Sequence, residues 1–214
     1  MNSAIALSAC LASHPWLAQI HAGSSGALLL LSASGRMELR RYGRQSLLDH
    51  LQAHLAAHAI EPVQHLRLLD MTPDELDTPT IDRWLLSPRP DYVTLLTEHA
   101  QDDRWTLTLQ LPLELIHFDG HFPQAPVLPG VLQVSWALAL AAPRLGTSKH
   151  CREMKALKFQ RLLHPGDRIE LTLHFEADSQ DVAQNVAQGK LHFSYHLDGA
   201  HCSSGRLKVE RANE

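Results

Sequence analysis

One short stretch of the chain combines a titratable side chain with a stiffened backbone. It runs His121-Phe122-Pro123-Gln124-Ala125-Pro126-Val127-Leu128-Pro129-Gly130-Val131. Proline fixes φ and pushes the preceding residue toward extended geometry, so Pro123, Pro126 and Pro129 predict a rigid, non-helical lead-in. Pro129-Gly130 reads as the start of a helix, whose first N–H groups have no internal partners. An imidazole beside free N–H donors can move a proton next to a carbonyl whose oxygen is being polarised. His121 is therefore the candidate base and the Gly130 amide the candidate polarising donor.

The segment after that loop, Val131 to Ala142, has little polar surface, and a helix apolar nearly all round must be buried. Pro143 and Gly146 are expected to end it. Strands are expected on both sides: Tyr92 to Glu98, Arg104 to Leu111, Glu153 to Arg161, Asp167 to Glu176, Gln188 to Leu197 and Ala200 to Val209. Ile169, Leu171, Leu173 and Phe175 alternate with polar residues, as do Leu191, Phe193, Tyr195 and Leu197, which gives each strand one apolar face. His164-Pro165-Gly166-Asp167 and Asp198-Gly199 carry turn chemistry.

The spacing His-Phe-Pro-x-x-Pro-x-x-Pro-Gly-Val followed by a buried helix resembles the 3-hydroxyacyl-acyl-carrier-protein dehydratases of the FabA/FabZ type. The wording Phe118-Asp119-Gly120-His121-Phe122-Pro123 and Gly130-Val131-Leu132-Gln133-Val134-Ser135-Trp136-Ala137 looks most like the ApeI-like branch of aryl polyene pathways. The resemblance spans about residues 89–214. It implies an α+β hot-dog fold, a curved antiparallel sheet wrapped around a central apolar helix.

It also implies a lyase that removes water from a carrier-bound 3-hydroxyacyl thioester to give the trans-2-enoyl product, in fatty-acid-like or aryl polyene biosynthesis, without a cofactor. In that scheme His121 takes the α-proton and the Gly130 N–H polarises the thioester carbonyl. The Val127 carbonyl orients the imidazole, and Phe122, Val127, Pro129 and Gln133 are the expected substrate contacts. The family places an Asp or Glu fourteen positions after the histidine, supplied by the opposite protomer, to handle the leaving hydroxyl. This chain has Ser135 there.

A serine hydroxyl donates or accepts a hydrogen bond but carries no proton that titrates near neutral pH. Three readings stay open. Ser135 holds a catalytic water, helped by Gln133 or Asp119; or an acid-bearing hot-dog subunit pairs with this one; or the chain binds acyl thioesters without dehydrating them. A hot-dog thioesterase is a further alternative, although it usually needs a carboxylate that the central helix lacks. The expected partners are an acyl carrier protein with its acyl-phosphopantetheine arm and a second hot-dog subunit, identical or related. Arg152, Lys155, Lys158 and Arg161 form either a docking patch for that acidic carrier or a solvated strand edge.

Residues 1–88 read as a separate small α+β module, with the boundary at Ser87-Pro88-Arg89-Pro90. Gly26 to Ser32 and Val63 to Leu69 are expected strands. Gly43 to Ile60 is an expected amphipathic helix through Leu47, Leu48, Leu51 and Leu55, and Thr80 to Leu86 a shorter one. Their order, with Leu31-Ser32-Ala33-Ser34-Gly35 and Leu68-Leu69-Asp70-Met71-Thr72-Pro73, resembles the small C-terminal lobe of AMP-forming acyl and aryl ligases. That family uses a Gly-Lys whose amine contacts the acyl-adenylate. Here the stretch is Asp74-Glu75-Leu76-Asp77-Thr78-Pro79, and the first lysine of the chain is Lys149. The resemblance therefore implies a docking or packing remnant rather than adenylation.

Composition bounds the rest. The chain has 214 residues, 44% of them hydrophobic, and a net charge of −4, so it shows no basic footprint for nucleic acid. No apolar run reaches the length of a membrane span. Leu7-Ser8-Ala9-Cys10 superficially suggests a lipoprotein cleavage site, but no basic residue precedes it. Cys10, Cys151 and Cys202 are odd in number and scattered, which fits a reducing, cytoplasmic setting. Fifteen histidines raise the question of a metal. His50, His54 and His58 fall at i, i+4 and i+8 on the expected helix, yet no Cys or acidic residue near them in sequence completes a set. A solvated helix face, with no metal, is the expectation.

Overall fold

In the computed structural model, residues 3–71, 76–120, 122, 125–178 and 186–212 are described. Contacts divide the chain into two units. The first comprises Met1–Tyr92, Pro112–Val127 and His164–Gly166; the second comprises Val93–Leu111, Leu128–Leu163 and Asp167–Glu214. The segment Pro112–Val127, which lies beyond the boundary expected at Ser87–Pro90, thus groups with the first unit.

That unit contains more elements than the sequence suggests. Helix α1 (Ser3–Ala12) and strand β1 (Leu17–Ala22) precede β2 (Gly26–Leu31), α2 (Ala33–Ala57), β3 (His65–Leu69) and α3 (Thr78–Leu86). β1 and β2 pair antiparallel, β2 and β3 parallel, in the order β1-β2-β3. Parallel neighbours need a crossover, and α2 supplies it. The expected helix from Gly43 is only the second half of α2. Ser32 caps an earlier half, its hydroxyl accepting the Gly35 N–H at 3.2 Å, and Gly43 breaks the axis at φ +82°. The first half carries Arg36, Glu38, Arg40 and Arg41, and this polar run hides it from a search for apolar periodicity.

The core of the first unit gathers Leu7 and Leu11 of α1, Leu29 and Leu31 of β2, and Leu39, Leu47, Leu51 and Leu55 of α2. Leu113, from the segment after the linker, belongs to the same core. Its neighbour Glu114 is 2% exposed and ion-paired to Arg44, at 2.8 Å, and to Arg67. Glu114 also accepts the Leu68 N–H at 3.0 Å. Asp70 receives the Leu113 N–H at 2.9 Å, and burial pushes its carboxyl above the usual carboxylate range. Two guanidiniums and a backbone amide make burial of the Glu114 charge tolerable.

The second unit contains β4 (Thr94–Gln101), β5 (Arg104–Gln110), α4 (Gly130–Leu145), β6 (Glu153–Phe159), β7 (Arg168–Ala177), β8 (Val186–Leu197) and β9 (Ala200–Ala212). The six strands form one sheet in the order β4-β5-β7-β8-β9-β6, antiparallel throughout. One face buries Leu107, Leu109, Leu171, Leu173, Leu191, Phe193, Tyr195 and Leu207. α4 packs over the central strands β7 and β8. This strand order around one helix is the hot-dog fold, and the helix and strand segments expected from periodicity are present.

Two details of α4 differ from expectation. Pro143 sits inside the helix, and Gly146 alone ends it, in the left-handed region at φ +65°. The helix is also not buried all round: Val131 is 72% exposed and Ser135, one turn on, is exposed with it. Edge strands β4 and β6 are exposed along their whole length, with Met154, Leu157 and Phe159 on β6 in contact with solvent.

Candidate active site

The proline loop is anchored on both sides within the first unit. A 3₁₀ turn, Ile116–Phe118, leads into it, with the Ile116 N–H donating to the Pro90 carbonyl at 3.0 Å. His117 donates through Nε2 to the Asp91 carbonyl at 2.9 Å. Asp119 is ion-paired with Arg89, which also donates to the Glu114 carbonyl at 3.0 Å. These contacts engage Asp119 before the loop begins. Phe122 is half exposed, and its carbonyl accepts the Ala125 N–H at 3.0 Å. Pro126 then accepts a hydrogen bond from His164 Nδ1 at 3.0 Å, and Val127 is buried. His121, the expected base, lies outside the described residues, as do Pro123 and Gln124. The predicted contact of His121 with the Val127 carbonyl is therefore not among the described geometry.

The start of α4 belongs to the second unit. The Leu128 N–H donates to the Leu163 carbonyl at 2.8 Å, and buried Pro129 caps α4. The Leu132 and Gln133 amides both turn back to the Pro129 carbonyl, at 3.1 and 3.4 Å. The amides of Gly130 and Val131 have no partner among the described residues. Two unsatisfied N–H groups at the positive end of a helix can stabilise an oxygen that gains charge. A Cβ at 130 would stand 2.8 Å from the ring of half-exposed Phe159, so any larger residue there would have to displace that side chain.

Gln133 is 4% exposed, and its amide is engaged. Its Oε1 accepts the Ser203 hydroxyl, its Nε2 reaches the Leu128 carbonyl at 3.4 Å, and its backbone carbonyl accepts the Tyr195 hydroxyl at 2.9 Å. Gln133 thus ties the helix start to β8 and β9 and fixes where the free amides point. Ser203 and Tyr195 complete that anchor. Sequence reasoning missed that role because alternation marks Tyr195 only as a core strand position and Ser203 carries no local signal. His164 was likewise read as turn chemistry alone.

Ser135 lies on the exposed strip of α4, and the helix carries no carboxylate. Two of the four basic residues considered for carrier docking have acidic partners. Arg152 pairs with Glu210, Lys155 with Glu153 at 3.1 Å, and Arg161 donates to the Leu197 carbonyl at 3.3 Å.

Comparison with known proteins finds a family and several relatives. The ApeI dehydratase family model (ApeI-like) matches residues 97–206. The 3-hydroxyacyl-acyl-carrier-protein dehydratase FabZ of Streptococcus equi subsp. zooepidemicus is 32% identical over 116 residues, covering 50% of this chain and 78% of that protein. FabZ of Streptococcus sanguinis is 35% identical over 98 residues, covering 42% of this chain and 65% of its own length. A solved structure, the dehydratase heterocomplex ApeI:P from Xenorhabdus doucetiae, matches with 28% identity and a TM-score of 0.46. It covers 56% of this chain and 99% of the other. The family match contains His121, Gly130, Gln133 and Ser135, and on that match the chain belongs to the ApeI-like dehydratases.

Proposed function

We propose that the chain dehydrates 3-hydroxyacyl thioesters held on an acyl carrier protein, giving trans-2-enoyl thioesters. The observation that carries this reading is the family match over 97–206, within which α4 opens on two amides that have no partner among the described residues. His121 removes the α-proton, and the Gly130 N–H, with Phe122, Val127 and Pro129 around the acyl arm, stabilises charge on the thioester oxygen. The β-carbon–oxygen bond then breaks, the double bond forms, and the hydroxyl leaves as water. A histidine of ordinary pKa, about 6.5, is neutral and able to take a proton near pH 7. No step needs a cofactor.

The leaving hydroxyl requires a proton that Ser135 cannot supply itself. Ser135 either holds a water that relays it or faces a carboxylate of a second hot-dog subunit. The exposed Val131–Ser135 strip and the apolar edge strand β6 support pairing with such a subunit, because a solvated edge with Met154, Leu157 and Phe159 is an unpaired template. A thioesterase reading is disfavoured, since α4 offers no carboxylate to attack or to activate water. We place the reaction in the cytoplasm; Cys10, Cys151 and Cys202, all free thiols, support a reducing setting, and no helix among the described residues is long and apolar enough to cross a membrane.

The test is incubation with a 3-hydroxyacyl carrier protein followed by mass spectrometry of the carrier. Loss of one water is expected, and His121→Ala should reduce its rate by roughly 10²–10⁴-fold while the fold persists. Full activity in that variant, or release of the acyl chain, overturns the reading. Ser135→Asp should raise the rate of the isolated chain if the acid is missing; an unchanged rate assigns that proton to a bound water.

A further inference from the structure

Of the histidines of α2, His50 and His58 are exposed, as on a solvated face, and His54 is half-buried. α1 brings Cys10 against the end of α2, and one donor atom from each of Cys10, His54 and His58 lies within 4.8 Å of the other two. His54 and His58 are one helical turn apart, so both rings leave the same side of the helix. His54 Nε2 is buried and has no hydrogen-bond partner among the described residues. An imidazole nitrogen left dry and unpaired costs free energy unless something binds it.

His58 shows the complementary arrangement. Its Nδ1 is 2.9 Å from the His54 carbonyl oxygen. A carbonyl only accepts, so Nδ1 carries a proton, and in the neutral ring Nε2 is the nitrogen with the lone pair. Ligating histidines are held in this way, with the second nitrogen donating to a backbone carbonyl. The rings of His54 and His58 stand 4.4 Å apart between centroids. Cys10 is a free, half-buried thiol. His58 also caps α2, where the helix presents the negative end of its dipole to a cation. His14 walls the site without ligating: its ring lies 4.8 Å from that of His54, while its Nδ1 accepts the Trp16 N–H at 3.3 Å.

We propose that Cys10, His54 and His58 bind one divalent transition-metal ion of the zinc class, with an exogenous fourth ligand. One thiolate and two imidazoles suit zinc, whereas magnesium and calcium prefer oxygen donors. Bond lengths of about 2.0–2.3 Å put tetrahedral donors roughly 3.3–3.8 Å apart, so modest side-chain rotation closes the set. The ion pins α1 to the end of α2 and deprotonates the Cys10 thiol on binding.

The test uses the full-length, tag-free chain stripped of metal and titrated with Co(II). One equivalent should bind, producing a thiolate-to-cobalt charge-transfer band and tetrahedral ligand-field bands that Zn(II) abolishes. Cys10→Ser should remove the charge-transfer band, while Cys151→Ser and Cys202→Ser should retain it. His58→Ala changes an exposed residue and should weaken binding by at least on the order of 10–100-fold. His54→Gln should do the same, with circular dichroism confirming that each variant is folded. No thiolate band in the wild type, a band that survives Cys10→Ser, or unchanged affinity in both histidine variants overturns the proposal.

Discussion

Each unit buries a polar side chain, and the two solve the problem of burial differently. The first buries a charge: Glu114, 2% exposed, is met by Arg44, Arg67 and the Leu68 amide. The second buries a neutral amide: Gln133, 4% exposed, is met by Ser203, with Tyr195 bonding its backbone carbonyl. A buried ion must keep its partners because the desolvation penalty is several kcal/mol per charge. A neutral amide risks less and can be tuned by single hydrogen bonds. The charged anchor therefore fixes where a chain segment lies, and the neutral one fixes the direction of a helix start.

The comparison is broken most severely by removing the carboxylate. Glu114→Ala leaves two guanidiniums facing a dry gap and should destabilise the first unit by about 3–5 kcal/mol, read from denaturant unfolding. A loss below about 1 kcal/mol would mean that water reaches the site and the ion pairs are worth no more than surface ones. Gln133→Leu keeps the bulk but strands the Ser203 hydroxyl. It should cost about 1–3 kcal/mol and also lower the dehydration rate, because the amides of Gly130 and Val131 lose their fixed direction. Wild-type turnover in that variant would separate the anchor from the chemistry.

The smallest expected effect is on pH dependence, and it sharpens the contrast. Burial pushes the His21 imidazole below its usual range, and its Nε2 has no hydrogen-bond partner among the described residues. The unfolded chain therefore takes up a proton before the folded one does. His21 favours the folded state fully above its ordinary pKa of 6.5 and loses that contribution as pH falls below it. His14 shifts the same way, by burial first and then by the charges of His54 and His50. Unfolding midpoints of the metal-free chain should fall between about pH 7.5 and 5.5, and His21→Phe should flatten the slope. A slope unchanged in that variant assigns the dependence to other groups.

Legibility in the sequence followed the type of interaction. Ile169, Leu171, Leu173 and Phe175 alternate because one sheet face is apolar, so strands β7 and β8 could be read directly. The first half of α2 could not, because Arg36, Glu38, Arg40 and Arg41 interrupt its apolar pattern, and β1 alternates too weakly in Leu17–Ala22. The proline loop announced a site through backbone restriction, a local property. Ser203 beneath Gln133 had no such signal, since seventy positions separate them.

The amino-acid order by itself determined the individual strands and the central helix of the second unit, because side-chain period and proline stiffness act on neighbours along the chain. The family was reached through the resemblance of the proline motif. Only the tertiary structure decided that Glu114 sits between Arg44 and Arg67, that Gln133 holds the start of α4, and that Cys10 meets His54 and His58. Those contacts join positions far apart in sequence, and polar groups find such partners only when the surrounding apolar packing has removed the competing water.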